Sequence, residues 1–266
     1  MISAVLQETP KGTAIKAQRV PLPWEPSHQQ GLALVQPDVL SEKECNDIIC
    51  SCEAAGFEQA LLNVGGGRQV LASDIRQSGR CIVDDVQAAT VLWERLRHIV
   101  PAERTVVHGG TLWQCVGLNE RLRVLKYEPG DYFAPHSDGR FVRMQGSAPL
   151  AMGEPRDTSF LTCMLYLNTP LQGGDTNFLN PRDESQMSSV APRTGMALVF
   201  DHDLTHEGAL LKRGVKYCIR TDCMYRRAAL PTVVSKLSQQ IVGKWNETAK
   251  AEPTGSEVTD GGTTAT

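Results

Sequence analysis

The sequence predicts a mainly β domain, either a sandwich or a barrel, with helices placed before most of the strands. Three observations lead to this fold class. Short runs rich in Val, Leu, Phe and Tyr follow one another from residue 121 onward: RLRVLKYE, SFLTCMLYLN, DTNFLN, GMALVFDH and KYCIRTDCMY. Turn-forming segments such as PGD, QGG and KRG separate these runs. No helical periodicity interrupts them, so turns must connect consecutive strands.

The first predicted helix lies in the segment GLALVQPDVLSEKECNDIICSCEAAGF, which is typical of a strand, a turn and a helix. Ser41 and Glu44 form an S-x-x-E capping box where this helix begins, and Gly56 ends it. Between residues 45 and 52, two cysteines and two isoleucines recur at i, i+3, i+4 and i+7. That spacing is the apolar stripe of a helix facing a core, so these cysteines are interpreted as packing residues.

A second helix is predicted over residues 85–99, and Pro101 stops it. Apolar side chains fall on one face of this helix: Val86, Ala89, Trp93 and Leu96. The segment between the two helices, residues 61–85, is polar and glycine-rich. We therefore expect a loop there, and its Gly65–Gly67 run does not follow the spacing of a nucleotide-binding loop.

The composition is that of an ordinary soluble globule, with 41% hydrophobic and 21% charged residues among 266. A net charge of −3 gives no reason to expect nucleic acid or an anionic membrane surface as a partner. The N-terminal residues lack the apolar core of a signal peptide, and no apolar run reaches the roughly 18 residues of a membrane span. We therefore expect a cytoplasmic or nuclear protein. Its eight cysteines contain no C-x-x-C pair, so reduced core thiols are favoured over a structural zinc site.

Four segments are predicted along the chain. Residues 1–30 contain several prolines and no periodicity, which indicates an extended leader. Residues 31–228 form the main domain, with its core at 120–226. Residues 229–250 carry apolar side chains at helical spacing and predict a C-terminal helix. Residues 251–266 are polar, so we expect a disordered tail.

The stretch YEPGDYFAPHSDGR, residues 127–140, raises the question of a metal site. His136 and Asp138 are two positions apart, and side chains at that spacing point to the same face of a strand. A His-x-Asp motif by itself occurs often by chance. If a second histidine arrives from a neighbouring strand, two imidazoles and one carboxylate form the ligand set of non-haem Fe(II) oxygenases. That set leaves one face of the metal open for a bidentate 2-oxo acid and dioxygen.

Two histidines in ALVFDHDLTHEGALLKRGVKYCIRTD are candidates for the third ligand, His202 and His206. His206 is preferred because two cations, Lys216 and Arg220, follow it at ten and fourteen residues. A cation at the mouth of such a site can pair with the distal carboxylate of 2-oxoglutarate. His202 is then interpreted as a structural histidine near the site.

Together these segments resemble the catalytic domain of prolyl 4-hydroxylase-type Fe(II)/2-oxoglutarate dioxygenases. The resemblance is carried, in order, by LKYEPGDYFAPHSDG, SFLTCMLYLN, GGDTNFL and GMALVFDHDLTHEGALLKRGVKY, and extends more weakly to GLALVQPDVLSEKECNDII. It implies a double-stranded β-helix, the jelly-roll or cupin-like fold, flanked by the N-terminal helices. The dioxygenase domain would then span residues 31–228.

The resemblance also implies roles for individual residues. His136, Asp138 and His206 match the iron ligands that form the catalytic centre. Lys216 matches the lysine that pairs with the C5 carboxylate of 2-oxoglutarate, and Tyr127 matches the tyrosine that hydrogen-bonds the same carboxylate.

Two further residues are candidate contacts to the co-substrate. Thr162 lies on the SFLTCMLYLN strand, and Arg220 is an alternative or additional anchor to Lys216. Other polar and aromatic residues near the motifs are interpreted conservatively: Arg76, Arg140 and Arg143 as solvated loop charges, and Tyr166 and Phe178 as packing residues.

The implied reaction hydroxylates a C–H bond and releases succinate and CO2. It uses Fe(II), 2-oxoglutarate as co-substrate and dioxygen, and ascorbate (vitamin C) is a candidate reductant. Asp138 favours hydroxylation over halogenation, because related halogenases carry a small residue at this position. The expected substrate is a peptidyl proline, another peptide or a small molecule. A second hypothesis is a regulatory or scaffold protein that responds to oxygen or 2-oxoglutarate and acts through partner binding.

Overall fold

The computed structural model describes residues 2–6, 16–22, 24, 31–63, 69–72, 74–106, 111–143 and 157–228. Met1–Arg227 cluster as one compact unit and Ala228–Thr266 as a second. Three sequence predictions lie outside the described residues: the glycine run at 65–67, the helix at 229–250 and the disordered tail at 251–266. Within the described ranges, no helix has the length and apolar composition that crossing a membrane requires.

The described residues form a short 3-10 helix, two α-helices and a larger set of strands. The helices are η1 (Ile2–Ala4), α1 (Glu42–Ala55) and α2 (Val86–Leu96). The strands are β1 (Gln18–Arg19), β2 (Ala33–Gln36), β3 (Glu58–Gln59), β4 (Leu62–Asn63), β5 (Gln69–Val70), β6 (Arg76–Gln77), β7 (Gly79–Asp84), β8 (Glu103–Val106), β9 (Thr111–Leu118), β10 (Arg121–Tyr127), β11 (Tyr132–His136), β12 (Thr158–Tyr166), β13 (Gln172–Gly173), β14 (Thr176–Asn180), β15 (Asp183–Val190), β16 (Ala197–Asp201), β17 (His206–Gly208), β18 (Leu211–Arg213) and β19 (Lys216–Arg227).

Two antiparallel sheets make up most of the β structure. The larger sheet has the order β1-β2-β16-β12-β19-β10-β7-β3, and β9 with β8 extends it beside the end of β19. The smaller sheet has the order β15-β14-β17-β11-β6. The long strand β19 is central to the larger sheet, because it pairs with β12 on one side and with β10 and then β9 on the other. The predicted mainly β jelly roll is confirmed.

Helices α1 and α2 cover the outer face of the larger sheet. Ile48 of α1 and Leu92 of α2 are fully buried in one cluster with Leu161 of β12 and Ile219 of β19. Side chains alternate along a strand, so the neighbours of these residues on β12 and β19 must face the other way, toward the smaller sheet. The polar residues of the site lie on that inner face.

A second apolar cluster lies between the two sheets. Leu125 and Phe200 enter it from the larger sheet, and Phe178 enters it from the smaller one. Phe178 and Tyr166 are fully buried, as predicted for packing residues. This cluster fills one part of the space between the sheets and leaves the remainder to the site.

Helix α1 begins and ends where the sequence predicts. The Ser41 hydroxyl accepts a hydrogen bond from the backbone N–H of Glu44 (3.2 Å), and the Glu44 carboxylate accepts one from the N–H of Ser41 (2.8 Å). Gly56 follows the helix with φ of 90°, a conformation that favours glycine. The apolar stripe is confirmed by its buried members: Cys45, Ile48 and Cys52.

Helix α2 is shorter than predicted, and one of its four predicted core residues is exposed. The Asp85 carboxylate caps it by accepting a hydrogen bond from the N–H of Ala88 (2.9 Å). Ala89 and Leu96 are buried as predicted, and Trp93 is partly buried against the same core. Val86 is 70% exposed, whereas Ala88 and Leu92 are fully buried. Packing against the sheet decides which edge of the apolar face is covered, and local periodicity alone does not.

Several strands lie where the sequence predicts a loop or gives no strand signal. The predicted loop at 61–85 is wrong over Gly79–Asp84, which form β7 and pair with β10. Strand β15 lies partly in a predicted turn, and its side chains are mostly exposed. Such strands form because a neighbouring strand supplies backbone partners, as β14 does for β15. Their own sequences therefore lack a continuous apolar run.

The described part of the predicted leader packs against the main domain. Ile2 is buried in the same cluster as the two α-helices. Gln18 and Arg19 pair with β2 at the edge of the larger sheet. Backbone pairing thus holds part of this segment in an extended conformation.

Removing the Glu44 carboxylate should destabilise the fold. Glu44 is 3% exposed and forms an ion pair with Arg95 of α2 at 2.7 Å, in addition to its place in the capping box. Breaking a buried pair by removing one partner costs about 3–5 kcal/mol. We expect Glu44→Ala to lower the free energy of unfolding by that amount in chemical denaturation.

The control is Glu42→Ala, in the same helical turn but exposed. It should change the free energy of unfolding by no more than about 0.5 kcal/mol. Equal effects of the two substitutions would contradict a stabilising role for the Glu44–Arg95 pair.

Candidate active site

Two paired strands of the smaller sheet bring two predicted ligands together. His136 ends β11 and His206 begins β17, and they are direct partners in the antiparallel register. Opposite residues in paired strands carry their side chains on the same face. Asp138 follows β11 by two residues, and its backbone N–H donates to the carbonyl of His202 at 2.9 Å. Ligand atoms of His136, Asp138 and His206 all lie within 4.8 Å of one another.

Backbone carbonyls orient both imidazoles. Nδ1 of His136 lies 2.8 Å from the carbonyl oxygen of Ala134, and Nδ1 of His206 lies 2.9 Å from that of Leu204. A carbonyl oxygen only accepts hydrogen bonds, so each Nδ1 donates and each Nε2 keeps its lone pair. The ring of His136 also stacks on Phe133, with centroids 3.6 Å apart. Contacts of this kind fix the tautomer and direction of metal-binding histidines.

Both carboxylate oxygens of Asp138 have donors from the larger sheet. Arg220 Nη2 lies 3.1 Å from Oδ1, and the Thr162 hydroxyl donates to Oδ2 at 2.5 Å. The two imidazole Nε2 atoms lie 3.8 and 3.7 Å from the nearest Asp138 oxygen. Those distances exceed the donor–acceptor distance of a hydrogen bond. The three candidate ligands therefore face one another without bonding one another.

Burial and charge set the protonation states of these ligands. Burial lowers the pKa of His136 to about 4, and the neighbouring His206 acts in the same direction. Burial also lowers the pKa of His206. Burial alone would raise the pKa of Asp138, but Arg220 and the histidines outweigh it and hold that pKa below its usual range. At neutral pH the site presents two neutral imidazoles and a carboxylate, as metal binding requires.

Lys216 lies on the larger sheet, at the start of β19. It is 1% exposed, and its Nζ donates to the carbonyl of Gly174 at 2.5 Å. Nζ also lies 5.2 and 5.5 Å from the ring centroids of Tyr127 and Tyr166, within cation–π range. Burial lowers the pKa of Lys216. Among the described residues no carboxylate forms an ion pair with Lys216, so its amino group is available to an anionic ligand.

The GGDT segment passes close to Lys216 because it begins with two glycines. Gly174 has φ of 78°, and a Cβ there would lie 3.2 Å from the Lys216 side chain. Gly173 has φ of 77°, and a Cβ there would clash with the backbone of Leu210. Thr176, the last residue of the segment, shares a hydrogen bond of 2.8 Å with the Tyr166 hydroxyl.

One cavity of about 330 Å³ joins the two halves of the site. Its volume is in the range of small-molecule sites. The structure brings all seven predicted site residues to its wall: Tyr127, His136, Asp138, Thr162, His206, Lys216 and Arg220. The three candidate metal ligands line one part of this wall, and the predicted co-substrate residues line the part formed by the larger sheet.

The structure places His202 outside the ligand cluster. Its side chain is 1% exposed, does not line the cavity, and has Nε2 3.6 Å from Asp222 Oδ1. Its contribution to the site is the backbone carbonyl that accepts from Asp138.

Asp222 is a site residue that sequence reasoning missed. It is 1% exposed, lines the cavity and lies 3.2 Å from Arg220 Nη1. The signal that could have found it is period-two alternation along β19. Lys216, Arg220 and Asp222 are even-numbered and share the inner face of that strand.

Three arginines expected as solvated loop charges have different environments. Arg76 is half-buried, lines the cavity and packs over Phe133 at 4.7 Å, so the expectation is wrong there. Arg140 is exposed at the cavity wall. Arg143 forms ion pairs with Glu120 and Asp157, so it is a paired rather than a free charge.

Comparison with known families agrees with this geometry. Residues 122–221 match the model of the 2OG-Fe(II) oxygenase superfamily. The matched segment is thus similar to that superfamily. It begins in β10, ends in β19 and contains all seven predicted site residues. No curated protein matches the chain.

Solved structures similar to this chain include three prolyl hydroxylases. The viral collagen prolyl hydroxylase of Paramecium Bursaria Chlorella virus-1, as its 2OG complex, is 19% identical, with 74% of this chain and 96% of that chain covered and a TM-score of 0.44. A Pseudomonas putida prolyl-4-hydroxylase is 17% identical, with 74% and 93% covered and a TM-score of 0.47. A Trichoplax adhaerens prolyl hydroxylase, in complex with a hypoxia inducible factor peptide fragment, is 17% identical, with 72% and 82% covered and a TM-score of 0.49.

The donor set of the site fits Fe(II). Two Nε2 lone pairs and one carboxylate face a common point, each side chain is oriented from behind, and the remaining directions open into the cavity. Two histidines and one carboxylate with open positions are typical of non-haem Fe(II). The donor set contains nitrogen and oxygen atoms and no thiolate, which also suits Fe(II).

Removing the His206 imidazole should abolish metal binding by the protein. Loss of one of three protein ligands leaves a site that no longer closes around the ion. We expect His206→Ala to weaken Fe(II) affinity by at least about a hundredfold, measured by anaerobic titration of the apo protein.

Two other histidines serve as controls. His98 is exposed after α2, and His202 lies outside the ligand cluster. Alanine substitutions there should leave Fe(II) affinity within a factor of about three. Loss of metal binding in His202→Ala with retention in His206→Ala would reverse the assignment of the third ligand.

Proposed function

We propose that the protein hydroxylates a C–H bond of a peptide or small-molecule substrate, using Fe(II), dioxygen and 2-oxoglutarate and releasing succinate and CO2. The observation that carries this proposal is the convergence on one cavity of a His-Asp-His cluster and a buried lysine that pairs with no carboxylate of the described ranges. Fe(II), when bound, supplies the activation of dioxygen that C–H hydroxylation requires.

Lys216 is the proposed anchor of 2-oxoglutarate. A carboxylate beside its amino group would replace a missing counter-ion and favour the charged form of the lysine. Tyr127 lies in the same wall, and burial raises its pKa to about 12, so its hydroxyl keeps the proton and can donate to the same carboxylate. These two residues would fix the far end of the co-substrate and direct its 2-oxo acid end toward the candidate ligands.

The proposed substrate class is a peptidyl proline, and the support for it is the resemblance of the motifs to prolyl 4-hydroxylases. The cavity is bounded on the metal side by Phe133 and the two histidines, and Arg76 and Arg140 add cationic groups to its wall. A substrate in this cavity would meet both an apolar surface and guanidinium groups.

Succinate release from the purified protein is the direct test. The protein would be incubated with Fe(II), 2-oxoglutarate and ascorbate, in air and under argon, with a panel of proline peptides, other peptides and metabolites. We expect succinate that depends on Fe(II) and oxygen, and a substrate that stimulates it while gaining one oxygen atom in mass. Tight binding of a partner protein without any succinate would favour the regulatory hypothesis and reject the enzymatic one.

Removing the Lys216 ammonium should weaken 2-oxoglutarate binding selectively. A hydrogen bond to a charged group contributes about 1.5–3 kcal/mol. We therefore expect Lys216→Met to raise the KM for 2-oxoglutarate by at least about tenfold, with Fe(II) affinity retained.

Lys212→Met is the matched control, because Lys212 is an exposed lysine four residues earlier. It should leave the KM for 2-oxoglutarate unchanged. A KM that is also unchanged in Lys216→Met would move the anchoring role to another cation of the cavity.

A further inference from the structure

We propose that Thr162 and Arg220 are positioning residues that clamp the two carboxylate oxygens of Asp138, and that neither residue anchors 2-oxoglutarate. This inference rests on the proposed function, since it assigns how the metal site is held. It replaces the co-substrate role that sequence reasoning gives both residues. Fe(II) affinity is then set partly by two side chains that do not touch the metal.

Asp138 needs such a clamp more than the histidines do. His136 and His206 lie within paired strands, where backbone hydrogen bonds fix them. Asp138 lies beyond the end of β11, in a segment without strand pairing. Its backbone N–H has one contact, to the His202 carbonyl. The direction of its carboxylate therefore depends on side-chain contacts.

The two donors come from adjacent strands of one rigid sheet. Thr162 lies on β12 opposite Asp222 of β19, and Arg220 lies two positions earlier on β19. Thr162 bonds Oδ2 at 2.5 Å, and Arg220 lies 3.1 Å from Oδ1. A carboxylate held at both oxygens cannot rotate about its terminal bond without losing a contact. Each oxygen still has a lone pair to offer a metal.

Both donors already contact protein carboxylates. Arg220 directs Nη2 to Asp138 and Nη1 to Asp222, at 3.1 and 3.2 Å. Asp222 is also paired with Arg123, whose Nη1 lies 3.4 Å from it. The Thr162 hydroxyl has a single hydrogen, which it donates to Asp138. A co-substrate carboxylate at Arg220 would be the third carboxylate around one guanidinium, whereas no carboxylate among the described residues forms an ion pair with Lys216.

The first test compares three threonine variants by metal titration. Co(II) would be added to the apo protein and followed by its visible absorption, and 2-oxoglutarate affinity would be measured at saturating metal. Residues that orient metal ligands typically contribute 10- to 100-fold in metal affinity. We expect Thr162→Val to weaken Co(II) binding about tenfold and to alter the absorption band. Thr162→Ser, which keeps the hydroxyl, should match the wild type.

Thr221→Val is the matched control, because Thr221 is a buried threonine of β19 whose hydroxyl donates to the Asn119 carbonyl. It should leave Co(II) affinity and the absorption band unchanged. Equal losses in Thr162→Val and Thr221→Val would show a general packing effect and overturn the clamp.

The second test removes the Arg220 contact. Arg220→Gln removes one of the two arginines that pair with Asp222, so the double variant Arg220→Gln/Asp222→Asn is used if the single variant does not fold. We expect either variant to weaken Co(II) binding at least about tenfold, Arg220→Lys to lose less, and 2-oxoglutarate affinity at saturating metal to stay within about twofold.

Two results would overturn the proposal: weaker 2-oxoglutarate binding with unchanged Co(II) affinity, or no change in either affinity. The proposed function fails separately, if the wild-type protein binds no Co(II) or releases no succinate. Because the clamp is measured as a difference in metal affinity between folded variants, the two failures are distinguishable.

Discussion

The buried ion-pair series Asp138–Arg220–Asp222 is the interaction on which the rest of the site depends. Asp222 is 1% exposed, and the side chains of Asp138 and Arg220 are 12% and 18% exposed, so an unpaired charge at these positions would be costly. Arg220 compensates the negative charge of both carboxylates, and it links the segment after β11 to the centre of the larger sheet. The same contacts that neutralise Asp138 also fix its direction. One set of contacts thus provides both the charge compensation and the orientation of Asp138.

The strand register between β11 and β17 is the second requirement. His136 and His206 meet because they are paired directly across these strands, and a slip of one residue would turn one of them to the opposite face. The apolar cluster between the sheets opposes such a slip, because Phe178 of β14 and Phe200 of β16 are fully buried there and the latter ring packs against His206. Packing thereby maintains the separation of two metal ligands.

Some charged side chains of the site have an oppositely charged partner in the protein and others do not. This difference distinguishes residues that position a candidate ligand from residues that can bind an anion. Arg220 and Asp222 are paired on the protein side, so they behave as support for Asp138. Lys216 is 1% exposed, and the described contacts of its amino group are a carbonyl and two aromatic rings. A buried cation without a counter-ion is stable only at a cost, and a bound carboxylate removes that cost. This contrast, more than proximity to the candidate ligands, supports the proposal that Lys216 anchors 2-oxoglutarate.

The sequence by itself determined the fold class, the limits of α1 and the members of the His-Asp-His cluster, because each depends on local pattern: capping residues, strand alternation and fixed motif spacing. It did not determine the strands β7 and β15 or the exposure of Val86 on α2, because partner strands and sheet packing decide those. For the same reason it assigned Thr162 and Arg220 to the co-substrate: spacing along a chain shows which residues can reach a site, but not which group they meet there. Only the tertiary structure, by bringing β12 and β19 against the segment after β11, placed both donors on Asp138.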